Sequence, residues 1–230
     1  MSAGRLSRPG WRLLGVAVIA LALWFGLPRL LSGLDFFQVR RVELVGVRYS
    51  DPEAVVAALG LPRRISIFDD LDGVRRRAAH IPGTSSVSVG RRPPGTLRVE
   101  VVERPVVALV PADGHLAIMD TSGKVMPFDP AMSAPDLPLA DAASPPVAGL
   151  LGRVRDADPA LFARIASARG GPNAVELDLG GQRLLFRPDA SSEVIRTVIA
   201  VAQDCARTGR PWRELDGRFA GMVIVRRGNG

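Results

Sequence analysis

Apolar positions follow three rhythms along this chain. Residues 13–31 (LLGVAVIALALWFGLPRLL) are almost continuously apolar. Their 19 positions approach the ~20 that a helix rising ~1.5 Å per residue needs to cross hydrocarbon, which predicts a transmembrane helix. Short alternating runs and amphipathic stretches then take over. Phe37, Val39, Val42 and Leu44 predict a strand with a phase change at Arg40 and Arg41, ending at Gly46. Ser50, Asp51, Pro52 and Glu53 read as a capping-box start to a helix closed by Gly60 and Pro62. Asp69 and Asp70 head a second helix carrying Leu71, Val74, Ala78 and Ile81 at helical spacing, stopped by Pro82. Val87 and Val89, then Leu97, Val99 and Val101, alternate on either side of Pro93, Pro94 and Gly95, a hairpin. The order strand, helix, helix, strand, strand over residues 37–105 predicts a compact α+β module with its helices on one face of a small sheet.

From Pro105 the spacing changes, and residues 106–227 predict a mixed β-rich domain with two helices. Strands are expected at 106–110, 115–119 and 124–128, with a turn at 120–123 and a proline-rich crossing at 127–146. A helix is expected at 158–168, followed by strands at 174–179 and 183–186. The most amphipathic helix covers 189–207, with Asp189 as its cap and Val194, Val198, Ala202 and Cys205 facing inward. Terminal strands at 215–219 and 222–226 precede a tail at 228–230.

Charge sets the orientation. Arg5, Arg8 and Arg12 precede the apolar segment without any acid, so residues 1–12 are expected in the cytoplasm and the rest on the far side of the inner membrane. A cleaved signal peptide would call for a small-x-small cleavage site, which is not evident, whereas Pro28 and Arg29 suit a membrane exit. The formal charge of +7 does not mark a nucleic-acid binder: outside residues 1–31, 26 basic residues face 23 acids. A single cysteine, Cys205, excludes an intrachain disulfide.

Candidate chemistry is sparse. The nucleophile-elbow, phosphate-loop and HExxH patterns are absent, and no small-molecule substrate or cofactor is expected. His80 and His115 stand 35 positions apart without companions at ligand spacing. Asp69, Asp70 and Asp72 lack a calcium-loop frame and read as caps. Thr121, Ser122, Gly123 and Lys124 read as turn chemistry, and Cys205 as a buried structural thiol. The arginines at 40–41, 75–77 and 91–92 read as solvated faces, the alternative being lipid headgroups or an acidic partner. The last strand, 222–226, is apolar at four consecutive positions, which fits either a buried central strand or an edge that binds an extended partner.

The module entry at 39–46, Glu103-Arg104-Pro105, the turn at 120–125 and Asp216-Gly217-Arg218-Phe219 with the strand after it together resemble the FtsQ/DivIB cell-division family. The resemblance runs from Arg12 to about Arg227. That family usually carries an aliphatic residue where this chain has Gly217. The resemblance implies a POTRA domain at 37–105 and an FtsQ-type β domain at 106–227. It further implies a non-enzymatic, single-pass scaffold of the divisome that binds FtsB/DivIC-like and FtsL-like proteins at the septum and helps control septal peptidoglycan synthesis. Carried over, the partner-binding positions are Arg218, Phe219, Met222, Val223, Ile224, Val225 and Arg226. Two other classes remain open. A POTRA-bearing transport or outer-membrane assembly factor needs a long barrel, and an anchored periplasmic hydrolase needs a catalytic constellation.

Overall fold

The computed structural model describes residues 15–20, 35–133, 136–219 and 221–227. Of the apolar segment at 13–31, only 15–20 fall within that range. They are helical, and the remainder of the expected membrane span lies outside the described residues. No described helix is long and apolar enough to cross a membrane. The fold is α+β, and the chain divides into two compact units.

The first unit comprises residues up to 47, 52–81 and 86–102. A 3-10 turn (Asp35–Phe37) leads into β1 (Arg41–Val45), so the strand starts only after the phase change at Arg40 and Arg41. Helix α1 (Pro52–Leu59) follows, but Ser50 does not build the expected capping box. Its Oγ is buried without a hydrogen-bond partner, and its N–H donates instead to Glu103 Oε1 at 2.8 Å. Helix α2 (Asp72–Ala78) begins later than its aspartates suggest. Asp69 accepts from the Ser66 N–H and Asp70 from the Asp72 N–H, so both shape the turn before the helix, and Leu71 occupies the cap position. Strands β2 (Thr84–Arg92) and β3 (Thr96–Glu103) complete a sheet of order β1-β3-β2, with β1 and β3 parallel. Alternation places Leu97, Val99 and Val101 inward, where they meet Val55, Leu59, Leu71 and Val74 of the helices.

The second unit gathers 48–51, 82–85 and 103 onward. Glu103 and Arg104 tie these pieces together. The Glu103 carboxylate accepts from the Tyr49 and Ser50 N–H groups, while the Arg104 N–H donates to the Gly83 carbonyl. Gly83, at φ +82°, leaves room for the Phe128 ring, which a side chain there would strike.

Strands β4 (Val106–Ala112), β5 (His115–Asp120) and β6 (Val125–Met126) form an antiparallel meander. The proline-rich crossing is more structured than a loop: it holds a short helix, α3 (Pro130–Ser133), and a strand, β7 (Leu139–Ala140). The expected helix at 158–168 is largely wrong. The main helix is α4 (Pro145–Ala157), followed by the short α5 (Pro159–Phe162) and then a strand, β8 (Ser167–Gly170). Strands β9 (Val175–Asp178) and β10 (Arg183–Phe186), helix α6 (Ser192–Arg207) and strands β11 (Glu214–Asp216) and β12 (Ile224–Arg226) complete the unit. Among the described residues it thus holds four helical segments, not two.

The sheet order is β12-β11-β10-β9-β8-β7-β4-β5-β6. The parallel pairs β7/β8 and β10/β11 each need a crossover, which α4 with α5 and α6 provide. Val147, Leu150, Leu151 and Val154 bury one side of α4 against the sheet and α6. From α6 the buried residues are Ile195, Val198, Ile199 and Cys205, with Val194 only partly covered. Ser191, not Asp189, caps α6, its Oγ accepting from the Val194 N–H at 3.3 Å; Asp189 pairs with Arg187 at 3.1 Å.

Because Leu151 is fully buried in this core, Leu151→Ala should cost about 2–5 kcal/mol of stability. Urea unfolding followed by Trp212 fluorescence will check this, and a midpoint equal to wild type would contradict it.

Candidate functional site

The site is built on the two strands at one end of the nine-stranded sheet. Strand β11 is three residues long and wholly buried, yet two of the three are acids, Glu214 and Asp216. Such burial is tolerable only if each carboxylate is matched. Asp216, with no exposed surface, accepts from Arg218 Nε at 2.9 Å, from Arg218 Nη2 at 2.7 Å and from the Arg218 backbone N–H at 3.1 Å. This fork-to-fork pair, with the amide added, folds 216–218 into a tight turn. Hydrogen bonding from Arg218 outweighs burial and holds the Asp216 carboxyl below its ordinary range, while the Arg218 guanidinium is raised.

Glu214 lies between two arginines. Arg183 Nη2 approaches Oε2 at 3.1 Å, and Arg226 Nη1 approaches Oε1 at 2.9 Å without the alignment of a hydrogen bond. Two acids on β11 therefore fasten the chain at two points, Arg218 within the turn and Arg226 on β12.

Gly217 sits inside this clasp. Its N–H donates to the Leu185 carbonyl at 2.8 Å, and a Cβ built on it would lie 2.6 Å from Val198 Cγ2 of α6. The aliphatic residue that the resemblance leads one to expect has no room here, because a valine side chain on a helix has almost no rotamer freedom with which to retreat.

Strand β12 pairs only with β11, in the register Glu214↔Arg226, Leu215↔Val225 and Asp216↔Ile224, and its other edge carries no strand among the described residues. The strand is shorter than the run 222–226 suggests. Met222 belongs to the preceding turn, its N–H reaching the Phe219 carbonyl at 3.4 Å beside Gly221 at φ +74°. Val223 packs against the core. Phe219, Met222, Ile224 and Val225 are all exposed, Met222 by 60%. Arg218 lies 6.0 Å from the Phe219 ring centroid, within cation–π range. The Arg226 carbonyl accepts from the Arg213 N–H at 2.9 Å, so it faces β11, and alternation turns the Val225 N–H and C=O toward the open side.

Of the seven sequence candidates, Ile224, Val225 and Arg226 form the edge, Arg218 fastens it, Phe219 and Met222 are exposed beside it, and Val223 turns inward to the core. Glu214 and Arg183 escape the sequence reading, and Asp216 enters it only as part of the 216–219 motif and not as a buried anchor, since acids in a short strand read as solvent-facing. The alternation of charge at 214, 216 and 218 is the signal that could have found them.

The other candidates are dispersed. His80 and His115 are exposed, with Nδ1 2.7 Å from the Arg76 carbonyl and 3.3 Å from the Asp113 carbonyl respectively. Among the described residues no cluster of three or more His, Cys, Asp or Glu could hold a metal ion. Asp120 organises the turn at 120–124. Burial pushes its carboxyl up, but bonds from the Ser122 hydroxyl and the Lys124 and Ser122 N–H groups, with the Arg104 charge, hold it below its ordinary range.

Residues 37–104 match the FtsQ-type POTRA domain family. The chain is 31% identical over 239 aligned residues to the cell division protein FtsQ of Rhodothermus marinus, covering 92% of this chain and 84% of that one. The chain belongs to the FtsQ family of cell-division proteins. It is also similar to the FtsQ proteins of Zymomonas mobilis, 32% identical over 141 residues, and Corynebacterium glutamicum, 30% identical over 111. These alignments cover 59% and 47% of this chain, and it spans only 44% and 46% of those two relatives. The FtsQ family assigns the chain a division-related role, and its first unit a POTRA domain.

Two consequences can be measured. Both depressed carboxyls stabilise the fold fully above the ordinary aspartate pKa of about 3.9, and that contribution is lost as pH falls through their lower folded-state values. Asp216→Asn should therefore cost roughly 2–3 kcal/mol at pH 7, less than a fully buried pair because Arg218 is part-exposed. It should also flatten the decline in urea midpoint below pH ~4; an unchanged decline would contradict this account. Gly217→Val should overpack Val198 and cost about 1–3 kcal/mol, with the double variant Gly217→Val/Val198→Ala recovering part of it.

Proposed function

We propose that this protein is a bitopic scaffold of the divisome which offers the outer edge of β12 to an extended segment of an FtsB/DivIC-like partner. The observation that carries the reading is the open edge itself: three exposed residues, Ile224–Arg226, with a fixed register on β11 and one outward amide pair at Val225. Edge strands are ordinarily blocked, and an unblocked one is a template for strand addition. The apolar side chains of Ile224 and Val225, with Met222 and Phe219 alongside, would grip alternate residues of the incoming strand. Arg226 and Arg227 end the edge with positive charge, which favours an acidic residue on the partner at that point.

In this reading residues 13–31 anchor the chain in the cell membrane, with residues 1–12 cytoplasmic and both folded units outside. An FtsL-like protein is a further partner, and the assembly helps recruit and control septal peptidoglycan synthesis without catalysis by this chain. Membership of the FtsQ family and the scarcity of catalytic constellations both support the scaffold over an anchored hydrolase.

Proline substitution is the sharpest test. Val225→Pro deletes the outward donor and should abolish partner binding in a membrane pull-down while leaving the thermal midpoint within a few degrees of wild type. Ile224→Pro strikes the face toward β11 and should lower the midpoint as well. Normal binding by Val225→Pro would place the partner surface elsewhere.

A further inference from the structure

The first unit carries a second surface that the edge of β12 does not explain. Residues 37–39 run antiparallel to 65–67: Gln38 bridges Ser66, the Val39 N–H donates to the Ile65 carbonyl at 2.8 Å, and the Ile67 N–H donates to the Phe37 carbonyl at 3.0 Å. Continuing that register in one direction brings Phe36 and Phe37 to Phe68. Phe37 meets both rings edge-on, with centroids 5.0 and 5.1 Å away, and Phe36 is 60% exposed. Immediately beyond the other end of this pairing lie Arg40 and Arg41 after one segment and Arg63 and Arg64 before the other, all exposed.

Four exposed arginines flanking one short ribbon make a positive patch that suits an anion. Among the described residues the side chains of Arg41, Arg63 and Arg64 make no hydrogen bond or ion pair, the Arg41 N–H alone donating to the Gly95 carbonyl at 3.3 Å. Two further guanidiniums are bent toward the aromatic end. Arg40 Nη2 bonds the Asp35 carbonyl at 2.7 Å, and Arg91 bonds the Ile67 and Asp69 carbonyls. The acids here are engaged in their own turns: Asp35 with Gln38, Asp69 with the Ser66 N–H, and Asp70 with the Asp72 N–H. Five cations against three acids leave the ribbon net positive, with an exposed aromatic at one end.

We propose that this ribbon rests on the membrane, its Phe36 end at the interface and Arg41, Arg63 and Arg64 on the headgroups of anionic lipids. The occupant follows from position in the chain. Phe36 stands five residues after Leu31, the last residue of the apolar segment, and fully extended chain covers at most ~3.6 Å per residue, so the ribbon is tethered within about 18 Å of that segment's end. An exposed aromatic flanked by arginines is the composition that seats at a headgroup boundary. The inference rests on residues 13–31 being a retained anchor. It adds a lipid-reading contact that would fix how the first unit stands on the bilayer.

The test uses the full chain in nanodiscs of phosphatidylcholine alone or mixed with phosphatidylglycerol, with hydrogen exchange read on peptides covering 35–41 and 63–68. A basic side chain at an anionic surface is worth roughly fivefold in association. Exchange in both peptides should therefore slow several-fold in the anionic discs, and the slowing should vanish in the triple variant Arg41→Gln/Arg63→Gln/Arg64→Gln and at high salt. These exposed residues leave the core intact, so the variant's circular dichroism should match wild type. Equal exchange in the two lipids, with the chain co-purifying with discs, would overturn the ribbon contact and leave the anchor standing. Failure to co-purify would overturn the anchor and this inference with it. Equal protection of the detergent-solubilised chain by soluble polyglutamate would reassign the ribbon to an acidic polypeptide and overturn the lipid contact.

Discussion

A carboxylate with no exposed surface, Asp216, is held by three donors from a residue two positions away, and the end of the second unit is organised around that contact. Without Arg218 the charge would stand unpaired on β11 with no exposed surface, where an uncompensated ion is expensive. With it, the chain turns sharply at Gly217, clears Val198 and returns as β12. Glu214 repeats the device one pleat earlier, drawing Arg183 from β10 and Arg226 from β12 onto the same strand. Three consecutive strands are thereby cross-linked by charge at the β12 end of the sheet, beyond which no further strand lies among the described residues. An exposed edge would ordinarily fray; this one is held in register while its outer hydrogen-bonding groups stay free.

Carboxylates likewise grip backbone amides at Glu103, which is half-buried, and at Asp120, which is buried. Glu103 takes the Tyr49 and Ser50 amides, and Asp120 takes those of Ser122 and Lys124. The Glu103-Arg104-Pro105 run is thus a structural joint of the second unit, with Arg104 reaching to within 3.7 Å of Asp120. Motifs that look like family signatures here are places where a single carboxylate replaces several turn hydrogen bonds. That explains why they are short and why their neighbours are so plain.

What the sequence could reveal divides along physical lines. Alternation located β3 and β10 almost to the residue, because Leu97, Val99 and Val101 or Leu184 and Phe186 leave one face buried and one wet. Helix α4 was illegible because Pro145 and Pro146 extend a proline-rich stretch that reads as loop. In fact both occupy the first turn, where a missing N–H costs nothing. Strand β8 (SARG) has no strand propensity to speak of; its state is imposed by β7 and β9 on either side, a long-range pairing that local pattern does not carry. At the site, the hydrophobic run at 222–226 was visible as a strand. Its depth in the sheet and its dependence on Asp216 were not, because both are set by pairing partners.

The central claim is that β12 presents a preformed, fastened edge with the Val225 amide outward and the Ile224 amide inward. Residue-resolved amide exchange of the full chain, alone and with its FtsB/DivIC-like partner, tests it most directly. The account predicts that Val225 exchanges fast in the free protein while Ile224 is protected, and that partner binding slows Val225 alone by orders of magnitude. Protection of Val225 already in the free chain, or a bound partner that leaves its exchange unchanged, would contradict it.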